Sequence, residues 1–301
     1  CEIIAHFFLC FNGFDAFSSG TDRAIINTNI VKQGVNMEST EKDILRAETA
    51  QQMDEQYMPP VQSANTLFRF FKKPDYLYST LRNKALVPRF YPENVDYLSI
   101  GCHQIAYPMV CFCDINIHRL GNHLATYGGY GIAFSKNWGI HQGIQPLQYV
   151  NKHSILCKDF SAAFTSAMQT EQTIPAIDYL LTQMFYLKPI EGTMPQDGGE
   201  ISKNFTDECE WRFIPDVSKI DLPQAVSDDE IASIGVLNQT IVDNECCWLK
   251  FSPSDIKYII LKNEDDFREI CRTIDEITDD DAVRRKLISQ VLIWENVKED
   301  F

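Results

Sequence analysis

Basic residues are scarce in this 301-residue sequence, which has 27 lysines and arginines against 42 aspartates and glutamates. The formal net charge is therefore −15. Stable binding to DNA or RNA depends on lysine and arginine side chains that displace counterions, and an acidic surface repels phosphates. We therefore expect no stable nucleic-acid partner, and a basic protein partner fits the charge better.

Long apolar runs are also missing, and no stretch approaches the roughly eighteen residues of a membrane-spanning helix. The sequence contains no Gly-x-Ser-x-Gly elbow and no Walker loop. The short glycine run at residues 128–131 lacks the preceding strand and following helix of a dinucleotide-binding fingerprint. The commonest sequence signals for membrane insertion, serine hydrolysis and nucleotide binding are thus absent.

The ten cysteines form no compact framework and are scattered through apolar stretches. This distribution is typical of reduced thiols in a cytosolic protein, so we expect a cytoplasmic location. Cys111 and Cys113, with Cys102 and His103 nearby, could be read as a zinc site. Their spacing lacks the usual zinc knuckle, and a strand would place Cys111 and Cys113 on one face. We therefore expect no bound metal.

The sequence pattern divides the chain into three parts. Met37 is a more natural start than Cys1, so residues 1–36 are interpreted as a non-native or disordered extension. Residues 37–62 are predicted to form a polar, helical segment. No repeat or linker interrupts residues 63–301, which we predict to form a single α+β domain with a central, largely antiparallel sheet flanked by helices.

Periodicity within that domain predicts a mixed order of strands and helices. Strands are expected at residues 65–71, 87–91, 97–105, 109–114, 131–134, 146–150, 249–251 and 256–261. Helices are expected at residues 74–84, 117–127, 264–277 and 280–296, and over most of 153–188. Residues 191–203 are predicted to be a polar loop, and residues 205–215 an acidic turn that enters a strand.

The most unusual stretch, residues 126–150, combines five glycines with several aromatic residues. A cluster of glycines marks tight turns or close approach of the backbone to a neighbour. Such a block is typical of a demanding turn or of a sheet edge that forms a site, and we favour the turn.

Charged residues that could carry chemistry occur in two predicted strands. Alternation puts Glu208, Glu210 and Arg212 on one strand face. The two carboxylates, about 7 Å apart, could polarise a sugar hydroxyl or position a nucleophile. The same face could instead be solvated, with Arg212 paired to Glu210. Arg69, inside an early apolar strand, could hold a diphosphate, pair with Glu210 or face water.

Several segments together resemble the AbiGi family of abortive phage resistance proteins, which is described as an antitoxin family. The similar segments are residues 63–71, 76–94, 105–115, 127–150, 208–215, 249–260 and 286–301. The resemblance implies a bacterial phage-defence protein that needs no cofactor and neutralises a toxin encoded next to it. Arg69 stands at a strand position where this family leads us to expect a histidine.

A second resemblance is to the ADP-ribosyltransferase fold, in which an early basic residue, a central glycine-containing strand and a late Glu-x-Glu follow in order. It implies an alternative function, that of an NAD-dependent transferase acting as the toxic effector. Arg69 would then bind the NAD diphosphate, Glu210 would hold the ribose hydroxyl, and Glu208 would orient the acceptor.

The same resemblance assigns cofactor binding to Tyr130, Gly131, Phe134 and Ser135, with Tyr130 or Phe134 stacked on the nicotinamide. It requires that this glycine-rich strand, the acidic strand and Arg69 converge on one crevice. We favour a neutralising role over catalysis, because likeness of fold alone is weak evidence for chemistry.

Overall fold

The structure is a computed structural model that describes residues 57–169, 175–196, 199–218 and 220–300. The prediction for residues 1–36, and that for residues 37–56, lie outside these ranges. Residues from Pro60 onward belong to one unit. This unit has the predicted α+β architecture, with a central, largely antiparallel sheet and flanking helices.

Strands and helices are labelled separately in chain order. The strands are β1 (Thr66–Phe71), β2 (Ala85–Leu86), β3 (Arg89–Asn94), β4 (Gln104–Cys113), β5 (Tyr130–Ser135), β6 (Gln145–Pro146), β7 (Gln148–Val150), β8 (Leu187–Pro189), β9 (Glu191–Gln196), β10 (Gly199–Asn204), β11 (Glu210–Phe213), β12 (Val226–Ser227), β13 (Leu249–Lys250), β14 (Ile256–Leu261) and β15 (Val291–Ile293). The helices are α1 (Pro74–Asn83), α2 (Leu120–Tyr127), α3 (Lys136–His141), α4 (Ile155–Met168), α5 (Pro175–Phe185), α6 (Ile234–Asp243), α7 (Phe267–Ile277), α8 (Asp281–Ser289) and α9 (Trp294–Val297).

The central sheet has nine strands, and its main path runs β15-β14-β5-β1-β4-β11-β6. Strands β3 and β12 also pair with β4, which at ten residues is long enough to bind several partners along its length. The β14–β15 pair is parallel, whereas the other pairs of this sheet are antiparallel. The predicted strands at residues 65–71, 109–114 and 256–261 are confirmed as β1, the end of β4 and β14.

Alternation along β1 sends its side chains to the two faces of the sheet. Leu67 packs with Leu77 of α1 and Ile270 of α7 in one apolar cluster. Phe68 packs in a different cluster with Leu120 and Leu124 of α2. The sheet is therefore buried on both faces at β1, which explains why the strand sequence is almost continuously apolar.

Two of the glycines of residues 126–150, Gly128 and Gly143, serve the turns that the sequence predicts. Gly128 ends α2 with φ +121°, and a Cβ there would lie 2.0 Å from the carbonyl oxygen of Phe71. Gly143 follows α3 with φ +73°. Both positions favour glycine because L side chains rarely adopt these backbone angles. Gly128 in addition lets the chain leave α2 directly against β1.

Three predictions of local structure are wrong. Of the strand predicted at residues 97–105, only the last two residues belong to β4, and Asp96–Leu98 form a short 3₁₀ helix. Residues 191–203 form most of the hairpin β9–β10 rather than a loop, and none of the hairpin residues whose burial is described is buried, so nothing imposes an apolar alternation. The predicted helix at 280–296 ends at Ser289 and is followed by β15. Val291, Leu292 and Ile293 pair with β14, so pairing with the sheet overrides the helical pattern.

Candidate functional site

The acidic strand predicted from the sequence is β11, which pairs with β4. Glu210 and Arg212 point to one face of this strand, as predicted, and both are buried. Glu208 precedes the strand in a short 3₁₀ helix, Phe205–Glu208. Cys209 has a φ of 43°, in the left-handed region, so the chain turns between Glu208 and Glu210. The prediction that Glu208 lies on the strand face is therefore wrong.

Glu208 and Glu210 nevertheless meet, because they share a lysine. Lys188 of β8 donates from Nζ to Glu210 Oε2 at 2.7 Å and to Glu208 Oε2 at 2.8 Å. Arg212 Nε donates to Glu210 Oε1 at 2.6 Å. Lys203 of β10 pairs with Glu208 Oε1 at 2.8 Å. Both oxygens of each carboxylate are thus engaged by a cation.

Arg212 is the most enclosed member of this group, with 0% of its surface exposed. Its Nη2 lies 3.1 Å from Oε1 of Glu93 on β3. Its Nη1 donates to the Tyr107 hydroxyl and, at 2.9 Å, to the carbonyl oxygen of Phe185. A buried guanidinium needs such partners, because an unpaired charge in the protein interior is very costly.

These side chains form what we call the charge network: Glu93, Lys188, Lys203, Glu208, Glu210 and Arg212. Its three carboxylates balance its three cations. Tyr127 of α2 adds a hydroxyl that donates to Glu208 and contacts Lys203. The network ties β3, β8, β10 and β11 together, and a balanced, hydrogen-bonded set of charges is the form in which buried ions are tolerated.

The electrostatics of the network keep its acidic pair ionised. Burial by itself would raise the pKa of Glu210, but the charges of Arg212 and Lys188 outweigh it and hold that pKa far below its usual range. Burial also opposes ionisation of Glu208, whose pKa is lowered overall, chiefly by Lys188. Neither carboxyl group therefore has the raised pKa of a general acid.

We expect the protein to lose stability in acid because of this pair. Lowered folded-state pKa values mean that the stabilisation is present above the unfolded value of about 4.3 and is lost as the pH falls through the folded values. Urea denaturation at pH 6, 5, 4 and 3 should show a falling free energy of unfolding, with a smaller fall in Glu208→Gln. A free energy that is constant over this range would contradict the expectation.

Arg69 does not join the network. In the register of the sheet, Phe68 pairs with Cys113, and Cys113 pairs with Glu210. Paired residues share a face, so Arg69, one residue further along β1, lies on the opposite face from Glu210. Its Nη1 donates to the carbonyl oxygen of Cys111 at 3.3 Å. The prediction that Arg69 could pair with Glu210 is wrong.

Phe134 and Ser135, predicted to bind a cofactor in the transferase alternative, have structural contacts in β5. Phe134 is 0% exposed and stacks on Trp138 with 4.1 Å between ring centroids. Ser135 caps α3, since its Oγ accepts a hydrogen bond from the Trp138 amide at 3.1 Å. The Phe134 ring is therefore enclosed by packed side chains, which leaves no room for a stacked nicotinamide.

Tyr130 and Gly131 are also engaged within the fold. The Tyr130 hydroxyl donates to one carboxylate oxygen of Asp266 at 2.8 Å, and the Tyr78 hydroxyl donates to the other at 3.0 Å. A Cβ on Gly131 would lie 3.0 Å from the Phe70 ring. These contacts fasten β5 to α1 and to the start of α7.

The expected convergence on one crevice is wrong. Strands β5 and β11 are separated by β1 and β4 in the sheet order, which puts them about 14 Å apart at the usual strand spacing. Arg69 projects from the opposite face to Glu210. Strand β1 pairs directly with β5, where Arg69 is opposite Ile132, but Glu210 lies on the other face of the sheet. The three elements of the transferase alternative therefore do not all meet, and the roles proposed for them in NAD chemistry gain no geometric support.

Sequence reasoning missed most of the charge network. Lys188, Lys203, Glu93, Tyr107 and Tyr127 were not singled out, although Lys188 follows the apolar run Phe185–Leu187. A lone cation in an apolar stretch is the signal that drew attention to Arg69, and it applied equally to Lys188. The other four carry no local signal, because what brings them together is pairing between distant strands.

Among the helices in the described ranges, none is long and apolar enough to cross a membrane. The same part of the chain contains no cluster of three or more histidine, cysteine or acidic side chains suited to a metal ion. The charge network, together with Tyr107 and Tyr127, is the candidate site to which the sequence motifs lead.

Comparisons with known proteins agree with the first resemblance. Residues 84–262, which include the whole charge network, match a family model described as "Putative abortive phage resistance protein AbiGi, antitoxin". The abortive phage resistance protein AbiGi of Lactococcus lactis subsp. cremoris is 35% identical over 248 residues, which cover 72% of this chain and 100% of that protein. No solved structure matches the chain, so the resemblance to ADP-ribosyltransferases gains no structural relative. The chain therefore belongs to the AbiGi family of abortive phage resistance proteins.

Proposed function

We propose that this protein is the antitoxin-like component of a phage-defence pair, and that it binds and neutralises a toxin encoded beside it in the cytoplasm. The observation that carries the proposal is the family match, whose description includes the word antitoxin and which spans residues 84–262. The similarity to the lactococcal protein covers that relative from end to end, so the chain contains the counterpart of its whole length.

The state of the charge network supports a binding role. Glu208 and Glu210 are buried, and each of their oxygens already accepts from a cation or a hydroxyl. A substrate would have to displace Lys188 or Lys203 to reach either carboxylate, which leaves a charge unpaired in the interior. The network is better suited to holding strands together than to catalysis.

The distribution of charge supports a basic partner. Residues 264–281 contain nine acidic and two basic residues, a net charge of −7 within the total of −15. Most of these acidic side chains are exposed on α7 and the turns beside it, Asp265, Asp279 and Asp280 among them. Complementary charge steers encounter and discriminates between partners more than it adds affinity. A basic toxin would therefore be selected and attracted by this surface.

Growth of cells that carry an inducible copy of the adjacent toxin gene tests the proposal. Co-expression of the full chain should restore growth by orders of magnitude in colony count, and the full chain alone should be harmless. A purified mixture of the two proteins should co-elute in size-exclusion chromatography.

Two results would contradict the proposal. The first is a full chain that is toxic by itself and transfers label from NAD to proteins of a cell lysate, which would favour the transferase alternative. The second is a folded full chain that leaves the toxin as harmful as before.

A further inference from the structure

The hairpin β9–β10 stands apart from the central sheet. In the part of the chain that the structure describes, β10 pairs with β9 alone, and five of its six residues are exposed. An isolated two-stranded hairpin is marginally stable in water, and a third strand or a packed helix normally stabilises one. The hairpin therefore has the structure of an incomplete sheet.

Contacts with the rest of the protein hold the base of this hairpin. Lys203, near the end of β10, pairs with Glu208 of the charge network at 2.8 Å. Gly192, near the start of β9, packs so closely on Phe205 that a Cβ would lie 2.8 Å from its ring. The base is thereby fixed, while the rest of β10 is exposed to solvent.

The two outer edges of the hairpin differ in what they offer a new strand. Pro195 of β9 pairs with Glu200 of β10, and a proline has no N–H to donate. In an antiparallel ladder, hydrogen-bonded pairs alternate with pairs whose N–H and C=O groups point away from the partner strand. The pair that contains the proline is of the second kind, so the backbone groups of Glu200 point outward, and so do those of Ser202, two residues further on. Pro195 therefore interrupts the row of N–H donors along the outer edge of β9. The edge of β10 keeps the outward N–H groups of Glu200 and Ser202.

The exposed charges of the hairpin are acidic. Glu200 of β10 is exposed, whereas Glu191 of β9, with 72% of its side chain exposed, pairs with Lys152 at 3.9 Å. The only basic residue of the two strands is Lys203, whose charge is matched by Glu208. A segment that adds to β10 would therefore be favoured if it were basic.

We propose that an extended, basic segment of the partner toxin adds to the outer edge of β10 as a third strand of this sheet. Strand addition draws its affinity from main-chain hydrogen bonds to an exposed edge, which is what β10 provides. The docking site rests on the proposed function and specifies where and how the toxin is held. Glu200 and Ser202 supply the backbone groups, and the charge network fixes the hairpin in place.

Binding of the full chain to the purified toxin tests the site with two variants of one residue. Ser202→Pro removes an outward N–H, and we expect at least about tenfold weaker binding because a buried toxin carbonyl loses its donor. Ser202→Ala keeps the N–H, and its Kd for the toxin should be within about twofold of the wild-type value, since strand addition uses the backbone of this residue and not its hydroxyl. Thermal denaturation of both variants shows whether the fold is intact.

Hydrogen exchange of the wild-type complex gives a second measurement that needs no variant. Amides of residues 199–204 should exchange at least about tenfold more slowly with toxin bound, while those of α6 should be unchanged. A complex that forms without such protection, or Ser202→Pro that is folded and binds like wild type, would overturn the docking site alone. A wild-type chain that binds no toxin would overturn the proposed function as well, so the two failures are distinguishable.

Discussion

Replacement of Glu210 by alanine should lower the free energy of unfolding by about 3–5 kcal/mol, the cost typical of removing one partner from a buried ion pair. Arg212 and Lys188 both donate to Glu210, and Arg212 has no exposed surface through which water could replace the lost carboxylate. The remaining acids of the network cannot neutralise three cations. Urea denaturation of the full chain measures the loss.

Glu276→Ala provides the matched control for this experiment. Glu276 also accepts from an arginine, with 2.7 Å to Arg82 Nε, but its side chain is 53% exposed. An exposed pair contributes only about 0–1 kcal/mol, so the free energy of unfolding of this variant should be close to that of the wild type. Equal losses for the two variants would show that Glu210 is not held as a buried, paired charge.

The pair of Glu210 and Arg212 is also expected to respond to replacement as a unit. A well-packed apolar pair of similar volume in place of a buried ion pair is often neutral or stabilising. The double variant Glu210→Leu, Arg212→Met should therefore lose much less free energy of unfolding than Glu210→Ala alone. This comparison separates the free-energy cost of leaving one buried charge unpaired from any stabilisation that the ion pair itself contributes.

Phe134→Ala should cost about 3–5 kcal/mol, the usual range for a phenylalanine removed from a core. The Phe134 ring is fully buried, stacks on Trp138 and lies 5.0 Å from the Phe251 ring between centroids. The neighbouring side chains belong to a sheet packed on both sides, which limits how far they can move into the cavity. Chemical denaturation again gives the measurement.

Phe267→Ala is the control for Phe134, because it removes the same side chain from a position that is 38% exposed. Its expected cost is at most about two thirds of that at Phe134, in proportion to the apolar area it buries. If Phe134 served mainly to stack on a nicotinamide, Phe134→Ala would instead leave stability near wild type and weaken NAD binding. That result would revive the transferase alternative.

Much of the fold could be predicted from the sequence because the strands are strongly patterned. The apolar runs of β1, β4 and β14 are buried on both faces and contain few polar interruptions, so they are recognisable without any partner. The hairpin β9–β10 was missed for the opposite reason, since none of its described residues is buried. The strand β15 was missed because its identity depends on pairing with β14.

The candidate site likewise has features that follow from the local sequence and others that depend on strand pairing. That Glu210 and Arg212 share a face follows from the two-residue period of a strand, and the sequence predicted it correctly. That Arg69 points away from them depends on the register between β1 and β4, in which a shift of one residue would exchange the faces. Local sequence contains no information on that register.

The amino-acid sequence by itself determined the acidic character, the α+β class and the strongest strands, because composition and short-range periodicity are local properties. The resemblance of its segments to AbiGi proteins is likewise contained in the sequence alone. Only the tertiary structure decided which charges are buried together, since Glu93 and Lys188 reach Arg212 and Glu210 across strand pairings between distant parts of the chain. It also decided that Glu210 lies on the opposite face of the sheet from Arg69. Sheet order and register set both outcomes, and they are fixed by how whole strands pack rather than by any single segment.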